Sequence, residues 1–255
     1  MKIQIITFYQ FKQLENLLEI KAKLKSAMAE FSILGTIIIA AEGFNATISG
    51  MPPGIKEFVK ILENVFETRL GYKSSFHTEH PFLKAKVRLK NEIVALRQEV
   101  EIEKGSRTHI APAVWNEIIS DEHTIILDAR NDYEVAVGTF RGAVNPNIEK
   151  FSDLPKFVAE NLDPKTHRRI AIFCTGGIRC EKFAPFLKNL GYEEIYQLEG
   201  GILKYLEEMP ENESLWKGEC FVFDDQIAVD KNLRRGKTED TRPLSLNPPQ
   251  KKARK

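Results

Sequence analysis

The apolar positions along the chain fall into two blocks with different rhythms. In the first, Lys2 to Tyr9 carries the β-branched residues Ile3, Ile5, Ile6 and Thr7 and predicts a strand. From Phe11 to Phe31 the residues Leu14, Leu17, Leu18, Met28 and Phe31 recur at helical spacings, until Gly35 breaks the pattern. Thr36 to Ala41 is an apolar run short enough for a buried strand, Gly43 makes a turn, and Phe44 to Ser49 is the next strand. Pro52-Pro53 opens a helix whose apolar face is Ile55, Phe58, Val59, Leu62 and Phe66. Tyr72 to Thr78 and Ala85 to Leu96 add strand-like segments. The order β-α-β-β-α-β is the split βαβ of ferredoxin-like domains, expected over residues 1–100.

Residues 101–111 are polar and read as a linker. In the second block, over 112–212, strands alternate with helices. Ala113 to Ile119 is helical after Pro112, and Thr124 to Leu127 is a strand closed by Asp128. Leu154 to Asn161 is helical, and Ile170 to Phe173 is a buried strand running into Cys174. A helix follows from Cys180 to Leu190, with Gly191 as its stop. Glu194 to Leu198 is strand-like, and Gly200-Gly201 precedes a short helix to Met209. Such alternation predicts a parallel sheet covered on both faces, so the fold class is α/β throughout. Residues 213–230 read as an extension packed on the body, and 231–255 as a tail without periodicity, expected to be disordered.

Charge sharpens this outline. The formal net charge is +1, but Lys231 to Lys255 alone carries +7, leaving −6 for the remainder. A basic tail on an acidic body suits a polyanion such as RNA, with Arg234 and Arg235 as candidate phosphate contacts; a merely solvated tail has the same composition. Lys84, Lys86, Arg88 and Lys90 alternate along one strand face and form a second candidate RNA contact, or an ordinary exposed sheet face. No apolar stretch approaches the ~20 residues of a membrane span. The chain begins directly in a strand pattern, without a secretory leader, so the expected location is cytoplasmic. Three cysteines are too few for a disulfide framework, and in a reducing compartment a thiol stays available for chemistry.

The chemistry concentrates in one loop. Cys174 stands at the carboxyl end of a strand, where open α/β sheets bind ligands. Thr175, Gly176, Gly177, Ile178 and Arg179 follow, and then a helix. Paired glycines let backbone N–H groups turn inward, and the helix N-terminus and Arg179 add positive potential. These features favour the thiolate of Cys174, the nucleophilic form, and would equally hold a persulfide. Four residues separate Cys174 from Arg179, a shorter cradle than the five of tyrosine phosphatases, which argues for sulfur over phosphate. Cys180 is a second thiol, either a resolving partner for Cys174 or a spectator in the first helical turn. Cys220 reads as structural. His77, Glu79 and His80 do not share a strand face as metal ligands would, and no metal or organic cofactor is expected.

The stretch Asp128-Ala-Arg130-Asn-Asp-Tyr-Glu134, with Gly138 and Arg141-Gly142-Ala143-Val144-Asn145-Pro146, resembles the opening motif of rhodanese domains. Leu198-Glu199-Gly200-Gly201-Ile202 resembles their closing motif. By that resemblance the second domain is a rhodanese-like parallel-sheet domain, Cys174 is the persulfide-forming residue, and Asp128, Arg130 and Glu134 brace the fold. A wider resemblance runs through Ala41 to Gly50, His80-Pro81-Phe82, Lys86-Val87-Arg88, Glu92 to Leu96, Cys174 to Lys182 and Phe221-Val222-Phe223-Asp224. Over roughly residues 1 to 225 the chain is similar to the rhodanese-related tRNA uridine hydroxylases. That family implies tRNA as partner, molecular oxygen as co-substrate and hydroxylation of the wobble uridine to 5-hydroxyuridine. Longer members continue into a cysteine-rich, zinc-like segment, whereas here no cysteine follows Cys220. The alternative function is a rhodanese-type sulfurtransferase, which would not need the first domain; a third is a non-catalytic interaction module, which would not need Cys174.

Overall fold

A computed structural model describes residues 2–102, 108–222, 228–231, 233–234, 236–239 and 242–243. Arg235, Phe223, Asp224, most of the basic tail and residues 103–107 of the expected linker lie outside the described residues. The chain divides into two compact units, Met1–Ala95 and Leu96–Lys255.

In the first unit, β1 (Ile3–Phe11), α1 (Leu17–Glu30), β2 (Leu34–Ala40), β3 (Gly43–Gly50), α2 (Pro52–Phe66), β4 (Lys73–His77) and β5 (Ala85–Leu89) follow in sequence. The sheet order is β4-β1-β3-β2-β5, antiparallel except for β5, which runs parallel to β2. Both helices lie on one face. Leu24 and Met28 of α1 and Phe58, Leu62 and Phe66 of α2 are buried with Ile6, Phe8, Ile37, Phe44, Ile48 and Val87 of the strands. Phe44 stacks on Phe66 at 3.9 Å between ring centroids.

Two expected elements end elsewhere. The helix predicted from Phe11 starts only at Leu17, because β1 pairs Gln10 and Phe11 with Phe44 and Gly43, and Asn16 then takes a left-handed conformation (φ 51°). The strand predicted from Ala85 to Leu96 stops at Leu89. Beyond it, Ile93 N–H donates to Glu42 Oε1 (2.7 Å) and Ile93 C=O accepts from Asn45 Nδ2 (3.3 Å). Side chains from the β2–β3 turn and β3 thus take backbone groups that a longer ladder would have used.

The second unit contains β6 (His109–Ile110), α3 (Pro112–Ser120), β7 (Thr124–Asp128), α4 (Asp132–Val135), β8 (Gly138–Phe140), α5 (Leu154–Asn161), β9 (Arg169–Phe173), α6 (Ile178–Asn189), β10 (Glu194–Leu198) and α7 (Gly201–Glu208), then β11 (Trp216–Gly218), β12 (Cys220–Phe221) and β13 (Ala228–Val229). Strands β6, β10, β9 and β7 form, in that order, a parallel sheet. Trp115 of α3 and Ile202, Tyr205 and Leu206 of α7 are buried against Ile126, Ala171, Phe173 and Leu198 of its strands. The short pieces after α7 return to the body: β11 pairs with β8, and Trp216 sits 5.1 Å from Phe140. Asp128 and Arg130 form a fully buried ion pair beneath the sheet's carboxyl end. Arg130 donates Nε to Asp128 Oδ1 (2.8 Å) and Nη2 to Oδ2 and to Gly138 C=O (both 2.6 Å). Its charge is thereby matched and hydrogen-bonded, the condition for a buried pair.

Candidate active site

Cys174 follows β9 immediately, and its carbonyl and that of Thr175 are tied from the far side. Ile202 N–H donates to Cys174 C=O (3.0 Å) and Leu203 N–H to Thr175 C=O (3.1 Å). The first turn of α7 therefore satisfies those two carbonyls and fixes the loop's start. Only glycine fits where the two segments meet: Gly201 has φ 67°, and a Cβ there would stand 2.5 Å from Cys174 O and 2.6 Å from Thr175 O. Gly201 of the closing motif is thus a packing requirement of the cysteine loop.

The loop closes onto the sulfur. Gly177, at φ 101°, is the N-cap of α6, and its N–H donates to Cys174 Sγ at 3.1 Å. That left-handed turn starts α6 at Ile178, two residues before the expected Cys180, so Arg179 and Cys180 occupy the first turn of the helix. Cys174 and Cys180 are both buried and unbridged. Burial alone would push the Cys174 thiol up. The Cys180 thiol, the Arg179 charge and the backbone N–H groups of Cys180 and Gly177 outweigh burial and bring it down to about 6. Cys180 moves the opposite way: burial raises it, and the neighbouring Cys174 raises it further. The two thiols therefore divide into a thiolate and a protonated donor at neutral pH.

Arg179 is held from the side. Its Nη1 donates to Glu134 Oε2 (2.8 Å) and its Nη2 to Oε1 (3.1 Å), with the Glu134 side chain fully buried. Glu134 Oε2 also accepts the Asn131 N–H (3.1 Å). Burial disfavours the Arg179 charge, but Glu134 and then Cys174 more than restore it, so the guanidinium stays charged. Glu134 is the residue that sequence reasoning placed in the fold's bracing and the structure places at the site. Its partner lies 45 positions away, beyond any local spacing rule. Gly176 forms the open side of the loop: a Cβ there would meet nothing within 4 Å.

The other candidates lie apart from this cradle. Cys220 belongs to the aromatic core, its Sγ 3.6 Å from Phe221 O. His80 Nδ1 is 2.9 Å from Ser49 Oγ. Among the described residues no group of three or more His, Cys, Asp or Glu is placed to hold a metal ion. Lys86 and Arg88 are on β5, with Lys84 and Lys90 flanking it, and all four are exposed. Arg234 is exposed, and its backbone exchanges hydrogen bonds with Asp230. No helix among the described residues is long and apolar enough to cross a membrane.

Comparison with known proteins gives the same two-part division. Residues 3–93 match the UPF0176 acylphosphatase like domain, and residues 111–208 match the rhodanese-like domain. A tRNA uridine(34) hydroxylase of Teredinibacter turnerae is 46% identical over 237 residues, covering 92% of this chain and 74% of its own length. Among solved structures, the rhodanese-like domain of an Anabaena protein covers 44% of this chain and 80% of its own at 19% identity (TM-score 0.36). An acylphosphatase from Coxiella burnetii covers 34% of this chain and 93% of its own at 10% identity (TM-score 0.27).

Proposed function

Because this chain belongs to the tRNA uridine(34) hydroxylase family, we propose that it hydroxylates the wobble uridine of tRNA at C5, with Cys174 as the essential thiol and molecular oxygen as co-substrate. The observation that carries the role of Cys174 is its environment. A thiol held at about 6 is roughly nine-tenths thiolate at pH 7, whereas an ordinary thiol near 8.5 is almost wholly protonated.

A thiolate has a defined task on a pyrimidine. C5 of uracil is a weak nucleophile. Addition of sulfur to C6 moves the C5–C6 π pair toward C5 and O4 and makes C5 electron-rich. C5 then takes one oxygen atom. Loss of the C5 proton and departure of the sulfur as thiolate restore the double bond and free Cys174. The second oxygen atom leaves as water, which requires a two-electron donor external to the chain. The N–H groups of Gly177 and Cys180 and the Arg179 charge favour sulfur as a leaving anion, so they assist the last step as well as the first. The working place of such an enzyme is the cytoplasm, where tRNA is modified.

The same donors suit a Cys174 persulfide, and the rhodanese-like match supports sulfur transfer as the second reading. Nucleoside mass spectrometry of tRNA separates the two. In cells lacking this protein, 5-hydroxyuridine derivatives are restored by the wild type and not by Cys174→Ser. Full restoration by Cys174→Ser would remove the thiol from the reaction, and no restoration by the wild type would reject hydroxylation.

A further inference from the structure

The face of the first unit's sheet opposite α1 and α2 takes no part in the chemistry above. Alternation along the strands puts Thr7, Thr47 and Thr36 on that face, since Ile6, Phe8, Ala46, Ile48 and Ile37 are buried under the helices. The register aligns them in one row across all five strands: Lys73, Thr7, Thr47, Thr36 and Lys86. Arg88 stands on the same face two residues beyond Lys86. Thr7, Lys86 and Arg88 are exposed, and Thr47, Thr36 and Lys73 are half-buried. Thr7 Oγ1 donates to Thr47 Oγ1 (3.2 Å). The row is flanked along the strands by His80 on Ser49 and by Ile93 on Asn45. None of the strand residues on this face is acidic.

A floor of hydroxyls that runs to the exposed cations Lys86 and Arg88, with no acidic strand residue on the face, complements a polyanion. We infer that this strip binds the sugar–phosphate backbone of the RNA substrate. The inference rests on the proposed function for the identity of the polyanion. Four inter-strand steps span about 19 Å, enough for a short run of nucleotides. Hydroxyl, lysine and arginine contacts go to phosphate and sugar and carry no sequence information directly. The strip therefore positions RNA without reading its sequence. The three threonines extend the contact across the sheet, beyond the edge strand that carries Lys86 and Arg88.

The test is binding of tRNA by fluorescence anisotropy over a range of salt concentrations, using the full chain. Lys86→Glu/Arg88→Glu is compared with Lys25→Glu/Lys56→Glu, which makes the same charge change at exposed positions on α1 and α2. The strip variant is expected to bind at least tenfold more weakly, with a log–log salt slope shallower by roughly 0.7 for each lost contact. The helix-face variant should retain wild-type affinity. Lys86→Gln/Arg88→Gln guards against misfolding and should lose the same slope with a smaller loss of affinity. Unchanged binding by either strip variant, or an equal loss in the helix-face control, would overturn the inference. The 5-hydroxyuridine content of cellular tRNA is scored separately. If the wild type bound tRNA through the strip yet failed to restore that nucleoside, the hydroxylase reading would fall and the strip would stand.

Discussion

Replacing Cys180 tests the electrostatics of the cradle without touching the nucleophile. In the folded protein the Cys180 thiol is the leading group that counters burial at Cys174. Cys180→Ala removes that donor and leaves the Gly177 N–H and Arg179 in place. A hydrogen bond to a charged acceptor contributes about 1.5–3 kcal/mol, which corresponds to ~1–2 pKa units. Cys174 should therefore titrate near 7–8 in the variant against about 6 in the wild type. The sign is definite: a depressed thiol is a thiolate above its folded pKa and is lost as pH falls through it. Raising the pKa moves that loss into the physiological range, and the thiolate fraction at pH 7 should drop from roughly nine-tenths to about half or less. Thiolate absorbance at 240 nm, taken against a Cys174→Ser background, follows the titration directly. Cys180→Ser keeps a donor and should stay close to the wild-type midpoint. If Cys180→Ala titrates where the wild type does, the backbone N–H groups and Arg179 set the acidity alone, and the second thiol has no electrostatic role.

Two further substitutions probe how the cradle is held. Glu134→Gln removes the bidentate counter-charge of the buried Arg179 guanidinium and leaves Cys174 as its anionic neighbour, and urea unfolding should show a loss of about 3 kcal/mol; a loss below ~1 kcal/mol would mean that the pair does not anchor the loop. Gly201→Ala forces a Cβ into the Cys174 and Thr175 carbonyls at φ 67° and should lower the melting temperature, while Gly176→Ala, whose Cβ meets nothing, should melt with the wild type; the reverse order would contradict the placement of α7 on the loop.

Local periodicity carried most of the elements that position the site. The run from Ile170 to Phe173 is apolar because β9 is a central strand of the sheet, between β10 and β7, and its end announced the loop. The spacing of Phe58, Leu62 and Phe66 is that of the buried face of α2. What was not legible depends on distant partners or on single dihedral angles. The four-residue α4 is too short to show a period, yet it contains Glu134. The early start of α6 follows from one left-handed glycine, and the late start of α1 from Asn16 in the same conformation. Lys90 N–H still donates to Ile39 C=O, but the bonds of Ile93 to Glu42 and Asn45 then hold the stretch to Leu96 outside the ladder.

Among the described residues, β4 and β5 are the edge strands of the first unit's sheet. An exposed edge is a template for a foreign strand, and proteins commonly guard it with lysine or other charges. Lys73 on β4 and Lys86 and Arg88 on β5 stand there. The cations proposed for the phosphate backbone thus also suit a guard against self-association. Replacing Lys86 and Arg88 by valine or isoleucine, which suit a strand equally well, would make the chain more prone to edge-to-edge aggregation as well as weaken its hold on RNA.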